Sequence, residues 1–216
     1  MLLVRHALTQ STGKRLSGQT PGIHLSEAGR VQAKDTAARL ATLPLSAVYT
    51  SPLERCVETA KEVAAPHGLP VVSVPGLLEV DYGRWSGRPL AQLTRTVLWK
   101  RVMQAPSSIR FPDGETLEEV QWRVTESIGE MVERHPAGTV VAVTHAEGIR
   151  LALAHFAGVH IDLFQRLVVH PGSVSAVALG DGVPRILRVN DTGTLDDLTL
   201  RPPRRAPGGS PRRHLR

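Results

Sequence analysis

Two short apolar runs, one at the start of the chain and one past its middle, each stop at a histidine. The first is Leu2-Leu3-Val4, followed by Arg5-His6; the second is Thr139-Val140-Val141-Ala142-Val143-Thr144, followed by His145. Runs this short, apolar without alternation, read as strands buried on both faces, the signature of a parallel sheet covered by helices. In an open parallel sheet the ligand crevice lies outside the carboxyl ends of the strands, so such a fold delivers Arg5, His6 and His145 to one mouth. A third run, Ala47-Val48-Tyr49-Thr50, stops at Ser51-Pro52-Leu53-Glu54-Arg55. Ser51 with Glu54 has capping-box spacing and Pro52 suits the first helical position, which predicts a helix start with Arg55 in its first turn.

Helical patterns fill the gaps. Ser26 is a candidate N-cap for a helix over 27–43 with Val31, Ala37, Leu40 and Ala41 on its buried face. A helix is expected over 89–104, with Leu90, Leu93, Val97 and Val102 apolar, and the Thr116/Glu119 capping box predicts another that runs to Arg134 on Val120, Val124, Ile128 and Met131. A further helix follows His145. Val174–Leu179 and Arg185–Val189, joined through Gly180-Asp181-Gly182, read as a hairpin. Strands alternating with helices predict an α/β fold: three-layer α/β/α, a mostly parallel sheet with an antiparallel edge, and a small helical cap insertion at about 77–135. The expectation is one domain over 1–198 and a disordered Arg/Pro-rich tail over 199–216.

At 216 residues and 41% hydrophobic, the chain can bury a normal core without staples. The single cysteine, Cys56, excludes an internal disulfide and reads as a small buried residue. No apolar run approaches the roughly 18 residues of a membrane span and no signal peptide is visible, so the expected setting is cytoplasmic with no membrane partner. The net charge of +6 suggests nucleic acid until it is located: six arginines and no acid fall from Arg201 onward, which leaves the rest of the chain neutral. A nucleic-acid partner is therefore not expected, and nothing sets an oligomeric state.

If the three strands are neighbours, Arg5, Arg55, His6 and His145 meet around one pocket. Guanidinium forks match phosphate oxygens, and nearby helix N-termini add N–H donors, so a phosphoryl group is the natural guest. The cations also hold the imidazoles neutral, leaving a ring nitrogen free to attack phosphorus. Thr9 and Thr12 can donate hydroxyl hydrogen bonds to the same group.

With these residues in view the chain resembles the histidine phosphatase superfamily, whose members include phosphoglycerate mutases. Arg5-His6-Ala7 resembles its Arg-His-Gly signature; Leu25-Ser26-Glu27-Ala28-Gly29 with Gln32-Ala33 and Ser51-Pro52-Leu53-x-Arg55 with Thr59-Ala60 resemble the blocks that come after it. Glu79 with Tyr82-Gly83-x-Trp85-Ser86-Gly87 resembles the acid-bearing loop, Phe111-Pro112-Asp113-Gly114-Glu115-Thr116 a Pro-Gly-Gly-Glu-Ser segment, and Thr144-His145 the last block. The resemblance implies that His6 becomes phosphorylated, that Arg5, Arg55 and His145 hold the phosphoryl oxygens, and that Glu79 is the general acid–base, with Asp81 as its rival. It calls for no cofactor and no metal, and for a small phosphorylated metabolite as partner.

Ala7 stands where the family has glycine, Leu8 where it often has glutamate, and Thr12 where mutases tend to have asparagine. These departures weigh against a mutase more than against phosphoryl chemistry. A phosphatase is the expected activity, with a phosphomutase and a non-catalytic phosphoryl-binding module as alternatives. His6, His145 and Glu79 could also be read as metal ligands, but two arginines in the site would repel a cation. Selectivity is expected between Leu77 and His135, where Arg84, Arg88 and Arg110 could meet a second anionic group. Trp85 and Trp99 are expected to pack.

Overall fold

The structure, a computed structural model, describes residues 1–180 and 182–194. Among them, six strands form one sheet: β1 (Leu2–Arg5), β2 (Leu45–Thr50), β3 (Val71–Ser73), β4 (Thr139–Thr144), β5 (Val174–Ala178) and β6 (Arg185–Asp191), in spatial order β3-β2-β4-β1-β5-β6. The pairs β3–β2, β2–β4 and β4–β1 are parallel, while β1–β5 and β5–β6 are antiparallel. The sheet is thus mostly parallel with an antiparallel margin, as the hairpin pattern predicts; the turn at Asp181 and the tail over 199–216 lie outside the described residues.

Helices α1 (Glu27–Leu40) and α2 (Glu54–Ala64) pack on one face, and α5 (Leu117–Arg134) and α6 (Ala146–Phe156) on the other. The strand pleat explains the division, because successive side chains point to opposite faces. Val4, Val141 and Val143 join Ala37, Leu40, Ala60 and Val63 under the first pair, whereas Leu3, Val140 and Ala142 join Val124, Ile128 and Ile149 under the second. Two short helices, α3 (Leu90–Leu93) and α4 (Val97–Gln104), sit in the excursion between β3 and α5, which sends Trp85, Leu93, Val102, Ile109 and Phe111 into the second core.

Several local expectations are corrected. Helix α1 buries Gly29, Ala33, Thr36, Ala37 and Leu40, while Val31 is 61% exposed and Ala41 is outside the helix and exposed. Val31 lies two positions from both Gly29 and Ala33, about 200° around the helix, and so faces solvent. The segment 89–104 is two helices: the first stops at Leu93, and Thr96 caps the second, its hydroxyl accepting from Trp99 N at 3.2 Å, with Val97 72% exposed. The Ser51/Glu54 capping box does not form; α2 starts at Glu54 after Leu53, with no side-chain cap. The Thr116/Glu119 box does form, with both reciprocal bonds present.

Candidate active site

Strand register is what brings the two histidines together. Arg5 lies opposite Thr144 in the parallel pair β1–β4, so the next residue of each strand, His6 and His145, emerges at the same level. Their ring centroids are 5.3 Å apart with the planes inclined at 64°. Strand β2 ends beside them, and Ser51 N donates to Val143 O at 2.9 Å, which sets the first turn of α2 over the same end of the sheet. Arg55 is 1% exposed there. One of its terminal nitrogens donates to Gly18 O at 2.7 Å and lies 3.3 Å from His145 Nδ1. Its other terminal nitrogen and Arg5 Nε are buried without a hydrogen-bond partner among the described residues. A buried guanidinium N–H left unpaired is costly, and an oxyanion would satisfy both.

A cavity of about 260 Å³ opens over this cluster, with Arg5, His6, Thr9, Thr12, Arg55 and Glu79 on its wall. Thr9 and Thr12 bond each other through their hydroxyls at 2.9 Å. His145, fully buried, stands behind that wall. Its Nε2 is 2.9 Å from Ser51 Oγ and 3.4 Å from Cys56 Sγ, and its Nδ1 is 3.9 Å from Glu79 Oε2. The hydroxyl read as a helix cap is therefore committed to the second histidine. Ala7 is fully buried in a small cluster with Leu25 and Ala33, so the methyl that replaces a hydrogen at this position is packed.

Burial first, and then the Arg55 and Arg5 charges, lower the His6 imidazole from 6.5 to about 3. Its Nδ1 lies 2.8 Å from Ala7 O, a carbonyl that can only accept, which fixes the proton on Nδ1 and leaves the Nε2 lone pair free. His145 is lowered well below the usual imidazole range by burial and then by Arg55. Glu79 moves the other way: burial, and then the Glu147 carboxylate, push its carboxyl up to about 8 although Arg55 and Arg5 oppose the shift. Asp81 is spent on the loop, where Oδ1 accepts from Gly83 N at 2.8 Å, and it does not line the cavity.

The arginines expected to meet a second anion are elsewhere. Arg84 pairs with Asp113 at 2.9 Å, Arg110 pairs with Glu119, and Arg88 is exposed; none reaches the cavity. The segment after Leu77 gives the cavity its apolar side chains Tyr82, Leu90 and Trp99, and turns its cations outward. The added charges come instead from Arg15 in the first loop and from Glu147 and Arg150 of α6. Glu147 sits in the first turn after the His145 strand end, a position that sequence alone marks as facing the mouth. Arg123 of α5 carries no such mark. Its guanidinium donates to the carbonyls of Gly76, Leu78 and Glu79 at 2.9, 2.7 and 2.9 Å and to both Glu115 carboxylate oxygens, so it clamps the Glu79 loop from beneath. Among the described residues no group of three His, Cys, Asp or Glu is placed to hold a metal ion.

The sequence model of the histidine phosphatase superfamily (branch 1) matches residues 1–192. Phosphoserine phosphatase 1 of Hydrogenobacter thermophilus is 31% identical over 202 residues, covering 92% of this chain and 95% of its own. The bifunctional protein Rv2228c of Mycobacterium tuberculosis is 33% identical over 90% of this chain but only 54% of its own, so the chain spans about half of that relative. Among solved structures, YhfR of Bacillus stearothermophilus superposes with a TM-score of 0.83 at 27% identity, covering 88% of this chain and 96% of that one.

Proposed function

The chain belongs to the histidine phosphatase superfamily, branch 1, as a hydrolase of the phosphatase type, and from that premise we propose that it hydrolyses a small phosphomonoester through a phosphohistidine on His6, without a metal. The observation that carries the reading is one cavity in which His6, its Nδ1 committed to Ala7 O and its Nε2 free, stands with Glu79 beside two buried guanidiniums that have unpaired donors; burial favours the neutral ring of His6 and the protonated carboxyl of Glu79. Those are the states that a nucleophile and a general acid need.

The steps derive from this placement. The phosphoryl group seats with its oxygens on Arg5 and Arg55, satisfying the unpaired guanidinium donors, while the hydroxyls of Thr9 and Thr12 lie on the same wall; His145, expected to hold an oxygen as well, is buried behind that wall and backs Arg55 instead. His6 Nε2 attacks phosphorus as the bond to the ester oxygen breaks, and Glu79 gives its proton to that oxygen, since an alkoxide leaves poorly. Glu79, now a carboxylate, takes a proton from a water that attacks the phosphohistidine. Phosphate leaves, His6 Nε2 regains its lone pair, and Glu79 is again protonated. The arginines hold the charge of the transferring group throughout.

The test is p-nitrophenyl phosphate turnover in the presence of EDTA. Wild type is expected to release nitrophenol, and His6→Ala to release none and to lose an acid-labile, alkali-stable phosphate label. Turnover only after priming with a bisphosphate would replace this reading with a phosphomutase. Phosphate binding with no turnover would replace it with a binding module.

A further inference from the structure

Beside the phosphoryl cavity lies a second one of about 300 Å³. Leu16, Tyr82, Trp99, Glu147 and Arg150 belong to the walls of both, so the two adjoin through this neck. Beyond the neck the wall is formed by Val102, Met103, Phe111, Leu117, Phe164 and Gln165, with no titratable side chain among them. We infer that the second cavity seats the alcohol of the substrate, and that this alcohol is an apolar body of about ring size. The inference rests on the phosphomonoesterase reading and adds the class of leaving group.

Three observations carry it. In the proposed mechanism Glu79, on the wall of the first cavity, protonates the departing oxygen, and the cavity across the neck is large enough for a substituted ring, at the lower end of ordinary ligand sites. Its walls are preformed: Tyr82 meets Phe111 edge-on at 4.8 Å, and Trp85 backs Trp99 in a stack at 6.1 Å, so the aromatic lining is braced from behind and does not fill the space. The charges at its mouth, Glu147 and Arg150, pair with each other at 3.2 Å through one terminal nitrogen of Arg150, while Arg150 Nε is buried without a hydrogen-bond partner among the described residues. A zwitterionic alcohol such as serine would bring its charges against this pair and would leave the apolar wall uncovered, whereas an apolar alcohol covers the wall and leaves the pair intact.

The experiment compares two primary alkyl esters, 3-phenylpropyl phosphate and O-phosphoserine; the ammonium beside its hydroxyl makes serine the better leaving group, so a ratio of kcat/KM in favour of the phenylpropyl ester reports the cavity and not the chemistry. The phenylpropyl ester is expected to be favoured at least about tenfold. Met103→Glu puts a charge at the rim on a side chain that is 52% exposed, and Val102→Phe fills the interior. Each is expected to lower kcat/KM for the phenylpropyl ester about tenfold while leaving that for phosphoserine within about twofold, which also reports that the variant is folded. Equal or better turnover of phosphoserine by wild type, or an equal loss on both esters in the two variants, overturns the inference. Absence of turnover on either ester together with absence of a phosphohistidine overturns the phosphatase reading itself, and this inference with it.

Discussion

His6 and Glu79 occupy one cavity, yet burial drives their titrations apart, because it penalises the cation of one and the anion of the other. In the proposed mechanism the reactive form of the free enzyme, neutral His6 with protonated Glu79, exists between their two values. The profile of kcat/KM is therefore expected to fall as pH rises through about 8, where Glu79 ionises, and to hold on the acid side until about 3, where His6 gains a proton, provided the fold survives. Steady-state rates across pH read both limbs. Glu79→Gln is expected to remove the alkaline limb and to cost on the order of a hundredfold or more with an alkyl ester, and less with p-nitrophenyl phosphate, whose leaving group needs no proton. The same substitution has a stability consequence of definite sign. The folded state holds a proton on Glu79 that the unfolded chain gives up above about 4.5, so wild type loses stability as pH rises from there through about 8. Glu79→Gln should thus raise the unfolding midpoint at pH 8 relative to wild type and change it little at pH 4, as thermal unfolding at the two pH values would show. That His6, Arg55 and His145 come together was legible because strand ends in a parallel sheet converge. Their protonation states were not, since burial is a tertiary quantity that no local pattern encodes.

The loop that presents Glu79 has little regular structure of its own and is held by a neighbouring helix. Arg123 projects from α5 into the loop and uses all five of its N–H donors, three carbonyls and a bidentate carboxylate accepting them, and Glu115 passes the support on by accepting from Asp81 N at 2.8 Å. A lysine keeps the charge but cannot reproduce the planar fork. Arg123→Lys is expected to destabilise the chain by about 1–3 kcal/mol, the cost of leaving buried acceptors unpaired, and to lower kcat about tenfold or more with a smaller change in KM, because the acid is displaced and the phosphoryl site is not. Urea unfolding and steady-state kinetics on the same preparation check both. A loss of stability with unchanged kcat would reduce Arg123 to a structural brace. At this scale the sequence was informative where a motif closes on itself and misleading where a tertiary partner competes. The Thr116/Glu119 box forms because nothing else claims its hydroxyl, while the Ser51 hydroxyl goes to His145, 94 residues away. Arg123 lies eight residues from Glu115 and more than forty from the loop it clamps, a relation that helical periodicity does not contain.

Across the molecule, every residue placed in the chemistry lies before β5, and the two strands of the antiparallel margin serve the sheet. Strand β6 closes that margin and ends at Asp191, whose carboxylate pairs with Arg39 of α1 and so ties the last strand to the opposite layer. The remaining positive charge is segregated in sequence, with six arginines from Arg201 onward balancing the whole of the net +6. Catalysis and bulk charge are thus assigned to different parts of the chain, and the two can be separated by truncation. A chain ending at Leu200 keeps the sheet, the Arg39–Asp191 pair and the cavity, and carries a net charge of zero. It is expected to show kcat/KM within about twofold of the full chain and an unfolding midpoint within a few degrees. It should also lose its retention on a heparin column at low salt, because that binding depends on clustered arginines and not on the site. Steady-state kinetics, thermal unfolding and the salt needed for elution measure the three. If kcat/KM for an anionic ester fell tenfold or more while the midpoint held, the arginines beyond Leu200 would be taking part in substrate capture, and the division between a neutral catalytic body and a basic terminus would be wrong.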